Sequence, residues 1–188
     1  MLPEIEPWKT AYDEDSSVIY LLDDELKIAR CNRAWDRFAI ANQGHQAVSS
    51  RVIGRPVFDF VPAVLREFYV TAYNTVRHFR RDWWHTFECS SASVTRFFQM
   101  RILPCDDDGL LTINTLISEH PVGLLAEARI EKYTTSDGIV VMCSHCRRVQ
   151  SIDDRETWDW VPELLMTSEV LMRFGLCGFC TAYHYHLR

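Results

Sequence analysis

The sequence predicts an α+β fold in two parts: an antiparallel sheet with flanking helices, then a small zinc-ribbon-like module. Two observations predict it. Strand-like segments come as a group of two and a later group of three, with a helical block between them, and this order favours an antiparallel sheet over repeated βαβ units. Near the end of the chain, four of the seven cysteines form two CxxC pairs, a spacing typical of zinc sites.

The composition is that of a globular protein and argues against a nucleic-acid partner. Of the 188 residues, 47% are hydrophobic, and the formal net charge is -6 with only three lysines. No basic stripe is therefore present to hold phosphates. The first residues lack a basic start and an apolar run, and no apolar run is long enough to span a bilayer. We expect a cytoplasmic protein without membrane insertion, whose cysteines stay reduced.

The first two strands are predicted on either side of an acidic turn. The runs 18–22 and 26–31 flank two aspartates, which is the pattern of a β-hairpin. Asn32 follows, and an asparagine side chain can accept a free backbone N–H at the start of a helix. Apolar residues then recur at helical spacing, so a short helix is predicted over 33–40.

A longer helix and three strands come next. Over residues 63–81, apolar side chains recur on one face of a helix. The segments 83–89, 96–103 and 110–117 are predicted strands, and the second alternates apolar and polar residues. The run 106–109, three aspartates and a glycine, predicts the turn before the last strand.

Four regions are expected along the chain. His120 and Pro121 should end the last strand of the sheet. The regions are a lead-in at 1–16, a sheet domain at 17–118, a linker at 119–137 and the cysteine-rich module at 138–188. Within the module we expect strands over 140–142 and 149–151, and a helix over 162–174 with Gly175 at its C-terminal cap.

The two cysteine pairs carry the main functional prediction. Cys143 and Cys146 form one pair, Cys177 and Cys180 the other, and thirty residues separate them. Thiolates three residues apart on a tight turn can face one cation, and two such turns complete a tetrahedral site that leaves no position for water. Such a site is structural. A module of about fifty residues has a small core and needs a stabilising cross-link of this kind. The alternatives are a redox-active dithiol and four buried core cysteines.

Several other residues could bind a metal. His145 lies between the first pair and could replace a cysteine, although an exposed position on the turn is favoured. His184 and His186 could be weak ligands, although a frayed polar terminus would also explain them. The three remaining cysteines are interpreted as small core residues and not as nucleophiles: Cys31, Cys89 and Cys105.

With this layout, the first part of the chain resembles a PAS domain, and the tail is similar to the cysteine-rich extension of some bacterial PAS-like proteins. The tail differs from that pattern at two places. Arg173 to Gly175 stand where relatives have Ser-His-Gly, and Gly178 stands where they have proline, so one histidine that could support the site is missing. The segments that carry the resemblance are 19–23, 28, 32–35, 54–62, 87–91 and 98–104, and in the tail 142–149, 158–163 and 175–180.

The resemblance implies a cupped sheet closed by helices, which holds a small apolar ligand or packs against a signalling partner or a second copy. The candidate pocket residues, which could equally fill the core, are Tyr69, Tyr73, Val76, Phe87, Phe98 and Met100. His78 and His85 are candidate haem ligands, but a lone histidine is more often structural. No flavin-type cysteine motif is recognised, which leaves only Cys89 open for a flavin.

The sequence therefore predicts a non-enzymatic cytoplasmic sensor or adaptor with a structural zinc. No catalytic triad, phosphate-binding loop or open metal site nominates an enzyme. One alternative is a nucleic-acid-binding zinc ribbon, against which residues 139–188 carry five arginines and six acidic residues. Another alternative is a thiol redox switch, in which oxidation of the cysteines releases zinc.

Overall fold

The computed structural model describes residues 9–91, 93–121, 130–166 and 170–186. The chain divides into two compact units. The first unit comprises Met1–Val61, Leu65–Thr86 and Phe98–Ile117, and the second comprises Pro62–Val64, Phe87–Phe97 and Ser118–Arg188.

A five-stranded sheet has the strand order β2-β1-β5-β4-β3. Its strands are β1 (Val18–Leu22), β2 (Ile28–Cys31), β3 (Trp83–Glu88), β4 (Val94–Pro104) and β5 (Leu110–Pro121). β1 pairs antiparallel with both β2 and β5, so the predicted hairpin and antiparallel sheet are confirmed. β5 extends four residues beyond the predicted strand end at Ile117, and its last residue is Pro121, within the expected break. β1 pairs only with residues 110–114 of β5, and a proline at the end of a strand interrupts few ladder hydrogen bonds.

Helices lie between the second and third strands. They are α1 (Arg33–Ala41), α2 (Ser49–Val52) and α3 (Arg66–Phe79), with 3-10 turns at Val57–Asp59 and Ala63–Leu65. A π-helical turn at Lys9–Asp13 precedes β1, and a 3-10 turn at Asp106–Asp108 lies between β4 and β5. Both predicted helices are present, and the first turn of the longer one is 3-10. Five residues of the predicted apolar face are buried, and so is Tyr73, whereas Phe79 of that predicted face is 63% exposed; the five are Leu65, Phe68, Tyr69, Ala72 and Val76. In the described ranges, no helix combines the length and apolarity needed to cross a bilayer.

Asn32 connects three parts of the first unit. Its side-chain oxygen accepts the N–H of Trp35 at 3.1 Å, which caps α1, and the N–H of Ile19 in β1 at 3.0 Å. Its amide nitrogen donates to the carbonyls of Ser17 at 2.9 Å and Tyr12 at 3.1 Å. The residue is 1% exposed, so truncating its side chain would remove four hydrogen bonds at a site with little access to water.

The second unit contains a four-stranded sheet of order β8-β7-β6-β9. Its strands are β6 (Ile139–Cys143), β7 (Val149–Gln150), β8 (Trp158–Asp159) and β9 (Leu171–Gly175). Short helices α4 (Glu163–Met166) and α5 (Gly178–Thr181) follow β8 and β9, a 3-10 turn spans Ile130–Lys132, and a π-helical turn spans Ala182–His186. The buried core consists of Tyr133, Val140, Met142, Val149, Val161 and Leu164.

The helix expected over 162–174 is wrong in its second half. Among the described residues of this segment, the helix covers Glu163–Met166, and Leu171–Gly175 is a strand that pairs parallel with β6. Gly175 therefore ends a strand and does not cap a helix. A short apolar run fits both helical and strand periodicity, and hydrogen bonding to β6 decided between them.

We predict that Asn32→Ala lowers the free energy of unfolding by about 2 to 4 kcal/mol, because it removes a helix cap and strands buried backbone groups. Urea unfolding followed by circular dichroism measures the change. Asn74→Ala, at an exposed position on α3, is the matched control and should change stability by less than about 0.5 kcal/mol. Equal effects of the two substitutions would contradict the role of Asn32.

Candidate metal centre

The parallel pairing of β6 with β9 brings the two CxxC pairs together. In this register Cys143, the last residue of β6, lies beside Gly175, the last residue of β9. The N–H of Ser144 donates to the carbonyl of Gly175 at 2.8 Å, so the chain segments leaving the two strands stay adjacent. The first pair then lies on the turn after β6, and the second lies at the start of α5. Both pairs are thus at the same edge of the sheet.

The four sulfur atoms form one compact cluster. All lie within 4.8 Å of one another, and each of the four cysteines is at most 5% exposed. The Sγ atoms of Cys146 and Cys177 are 3.8 Å apart. A disulfide would need about 2.05 Å, whereas a tetrahedron with Zn–S bonds of about 2.3 Å has edges of about 3.8 Å. The donor set and spacing fit a tetrahedral thiolate site for one divalent ion.

The surrounding backbone favours thiolates at this position. The N–H of Cys177 donates to Sγ of Cys143, and the N–H of Cys180 donates to Sγ of Cys177, both at 3.4 Å. Hydrogen bonds from the thiols of Cys146 and Cys180 lower the pKa of Cys143, and the same sharing raises the pKa of Cys180. Metals bind the thiolate form, so an ion at the centre would replace the shared protons.

Charged side chains next to Cys146 respond to negative charge on its sulfur. Burial acts to lower the pKa of Arg148, but a hydrogen bond to the Cys146 sulfur and the charge of that sulfur raise it overall. Burial raises the pKa of Glu88, and the Cys146 charge raises it further. Arg148 is therefore positioned to offset part of the negative charge that four thiolates bring to a divalent ion.

Two histidines form a hydrogen-bonded pair beside the cluster. Nε2 of His184 and Nδ1 of His145 are 2.8 Å apart, and the backbone N–H of Glu88 donates to Nε2 of His145 at 3.3 Å. The expectation of an exposed His145 is wrong, because its ring is half-buried within this pair. A frayed terminus is also wrong for His184, which is 1% exposed. The side chain of His186 lies outside the described residues.

The hydrogen bonds fix the tautomers of this pair. Because Nε2 of His145 accepts from a backbone N–H, its single proton must be on Nδ1. That proton is donated to Nε2 of His184, which must then carry its own proton on Nδ1. Burial lowers the pKa of His145 and lowers the pKa of His184 to about 4. Both rings are therefore neutral at neutral pH, as the tautomer assignment requires.

The candidate pocket residues do not all belong to one unit. Tyr69, Tyr73, Val76, Phe98 and Met100 are buried in the first unit, whereas Phe87 is half-buried and belongs to the second. The rings of Tyr69 and Tyr73 have centroids 6.3 Å apart, and the hydroxyls of Tyr73 and Tyr20 are hydrogen-bonded. A ligand among these side chains stays a prediction.

The two candidate haem ligands lie in different environments. His78 is exposed on α3 with its ring against Phe79. His85 is buried, stacked on Trp83 with ring centroids 5.5 Å apart and close to Phe68.

The remaining cysteines have the character of core residues. Burial raises the pKa of the Cys31 thiol to about 12, and it also raises the pKa values of Cys89 and Cys105. Since the thiolate is the nucleophile, these three groups are poor nucleophiles at neutral pH. They agree with the interpretation as half-buried packing residues.

No family model and no curated protein matches this chain. Solved structures that resemble it are PAS domains. The PAS domain of BvgS from Bordetella pertussis is 19% identical, covers 61% of this chain and 86% of its own, and has a TM-score of 0.47. A PAS domain from Colwellia psychrerythraea is 15% identical, with coverages of 60% and 96% and a TM-score of 0.45. The RpfR quorum-sensing receptor PAS domain from Cronobacter turicensis, solved with C12:0, is 24% identical, with coverages of 56% and 97% and a TM-score of 0.35.

Sequence reasoning missed the contacts around the sulfur cluster. The histidine pair joins residues 39 positions apart, and the N–H that supports it comes from Glu88, 57 positions from His145. One available signal was that His145 lies inside the first CxxC turn and His184 follows the second by one helical turn. These positions could have indicated that the two histidines hydrogen-bond to each other and support the cysteine ligands.

We predict that the stability of the metal-loaded chain falls as the pH is lowered from 6.5 to about 4, in part because of His184. Its pKa is below the ordinary value of 6.5, so the unfolded chain binds the proton first and acid favours unfolding. His184→Gln keeps a polar side chain that does not titrate. Its unfolding free energy should therefore decline less steeply across this range in urea titrations.

The matched control is His45→Gln, at an exposed position, which should keep the slope of the original chain. Identical slopes for His184→Gln and the original chain would contradict the neutral, buried state assigned to His184.

Proposed function

We propose that this protein is a non-enzymatic, cytoplasmic sensor or adaptor, in which one structural zinc ion bound by Cys143, Cys146, Cys177 and Cys180 organises the second unit. The observation that carries the proposal is the convergence of four buried sulfur atoms within 4.8 Å. Four thiolates occupy every position of a tetrahedral ion, which leaves none for water or substrate. Such a centre stabilises a fold and does not catalyse a reaction.

The size of the second unit supports a structural role for the ion. Its described core consists of six buried side chains on a sheet with two strands of only two residues each. A core of this size offsets little of the conformational entropy that folding removes. Zinc binding to four cysteines contributes about 10 to 16 kcal/mol of apparent free energy, coupled to folding. We infer that zinc binding and folding of this unit occur together.

The sensing role is supported by the architecture of the first unit. An antiparallel sheet faces helix α3 across buried aromatic and apolar side chains that include Tyr69, Tyr73 and Phe98. A small apolar ligand that entered this layer would replace contacts between these side chains and shift α3. The shift would change the surface that α3 presents to a signalling partner or a second copy.

The two alternative functions receive less support. For a thiol redox switch, the sulfur atoms should be accessible to oxidant, yet all four cysteines are at most 5% exposed. For a nucleic-acid-binding ribbon, residues 139–188 carry more acidic groups than arginines. We therefore propose that the zinc remains bound during function.

We predict one zinc ion per chain in protein purified without chelator, measured by elemental mass spectrometry and native mass spectrometry. Cys143→Ser and Cys180→Ser should each reduce the zinc content at least tenfold, because a neutral hydroxyl is a poor replacement for a thiolate ligand. The backbone amide spectrum of the second unit should collapse in both variants.

Cys105→Ser is the matched control, because Cys105 lies in the first unit and outside the cluster. It should keep full zinc content. Zinc-free protein with an unchanged amide spectrum would overturn the structural role of the ion.

We predict that a small apolar molecule co-purifies with the first unit and is released on denaturation. Native mass spectrometry of the full chain, followed by extraction and identification of the released compound, measures this. Phe98→Trp, which adds volume at a buried position, should reduce occupancy severalfold while zinc content stays at one per chain. The same sample should show no haem or flavin absorption band.

A homogeneous mass equal to chain plus zinc, unchanged in Phe98→Trp, would exclude a retained ligand and leave partner binding as the role of the first unit. The zinc measurement is independent of this result, because it concerns only the four cysteines of the second unit.

A further inference from the structure

Among the described residues, the buried core of the second unit packs against one face of its sheet. Val140 and Met142 of β6 are buried in the core. Because alternate residues of a strand point to opposite faces, Ile139 and Val141 lie on the other face. The register with β9 places Arg173 directly beside Val141 on that face.

A cavity of about 310 Å³ is present on this second face. That volume is at the lower end of the range for small-molecule sites. Part of its lining is apolar, from Ile139, Val141 and Ile152, and part is polar, from Gln150, Arg155 and Arg173. The cavity therefore has a mixed lining, in which apolar side chains lie beside polar groups that could fix the orientation of a ligand.

The charge of the cavity favours an anion. Two arginines, Arg155 and Arg173, and one aspartate, Asp137, line the cavity. Within the part of the chain that the structure describes, neither arginine has an acidic partner at ion-pair distance. The segment that carries Arg155 is held in place, because the amide of Gln150 donates to the carbonyl of Arg155 at 2.7 Å.

We propose that this cavity binds a small organic carboxylate whose apolar chain lies on Ile139 and Val141 and whose carboxylate pairs with Arg173 and Arg155. A guanidinium matches a carboxylate with two parallel hydrogen bonds. The adjacency of Val141 and Arg173 across paired strands places an apolar and a cationic contact next to each other, as a short-chain carboxylate requires. This site is separate from the four sulfurs and from the aromatic layer of the first unit.

Hexanoate and hexanamide are the test probes, since they share shape and chain length and differ in charge. The zinc-loaded full chain is titrated with each, and the amide shifts of the backbone are followed by NMR. Hexanoate should shift the amides around Ile139, Val141, Gln150 and Arg173, with an affinity at least about tenfold above that of hexanamide, because charge-assisted hydrogen bonds are lost with the amide.

Arg173→Gln and Arg155→Gln test the assigned cations separately. Each should weaken hexanoate binding and leave the weaker hexanamide binding unchanged, with Arg173→Gln losing about tenfold or more. Arg51→Gln, at an exposed arginine of the first unit, is the matched control and should bind hexanoate as the original chain does. Zinc content and the amide spectrum of each variant verify that the second unit is folded.

Three results would overturn the proposal: equal affinity for the two probes, shifts confined to residues outside the cavity, or hexanoate binding that survives both substitutions. A zinc-free but folded second unit that still binds hexanoate through Arg173 would support this site while overturning the structural zinc. The two proposals therefore fail separately.

Discussion

The parallel pairing of β6 with β9 is the interaction on which the second unit depends. It fixes which residues lie side by side at the strand ends, with Cys143 beside Gly175. Everything at the sulfur cluster follows from that register, because each cysteine pair is reached within a few residues of a strand end. A shift of one residue would move the side chains of β9 to the opposite face of the sheet. Val170 and Met172 would then leave the core against which they pack.

A metal ion bound by the four sulfurs and the sheet would stabilise each other in this arrangement. A parallel pair needs a long crossover connection, here the chain between β6 and β9, and ordering that connection costs entropy. An ion bound by cysteines at the ends of both strands would cross-link the two ends of this connection and offset part of that entropy cost. The sheet in turn holds the four sulfurs within 4.8 Å of one another, close to the edge of about 3.8 Å in a zinc tetrahedron, so a bound ion would need little rearrangement. With the proposed zinc bound, this mutual dependence would explain how a core of six buried side chains holds so much irregular chain.

Neutral hydrogen-bond donors and one cationic side chain surround the sulfur cluster and would offset its negative charge. Four thiolates on a divalent ion leave an excess of two negative charges. Backbone N–H groups of Cys177 and Cys180 and the guanidinium of Arg148 contact sulfur. The His145–His184 pair is neutral, so it neither adds to nor offsets the negative charge of the thiolates. Its hydrogen bond links the turn after β6 to the segment after α5. Hydrogen bonds would thus hold the four cysteine sulfurs in place around a bound ion.

The sequence by itself determined the local elements and the residue types at the metal site. The hairpin, the Asn32 cap, α3 and the strands after it follow from signals that lie within a few residues, as does the CxxC spacing. Tertiary pairing decided the rest. The segment 171–175 became a strand because β6 supplied hydrogen bonds that no local window contains. His145 and His184 became partners across 39 positions, and Arg173 came to lie beside Val141. Such contacts depend on the register between distant segments, and periodicity within one segment carries no information about that register.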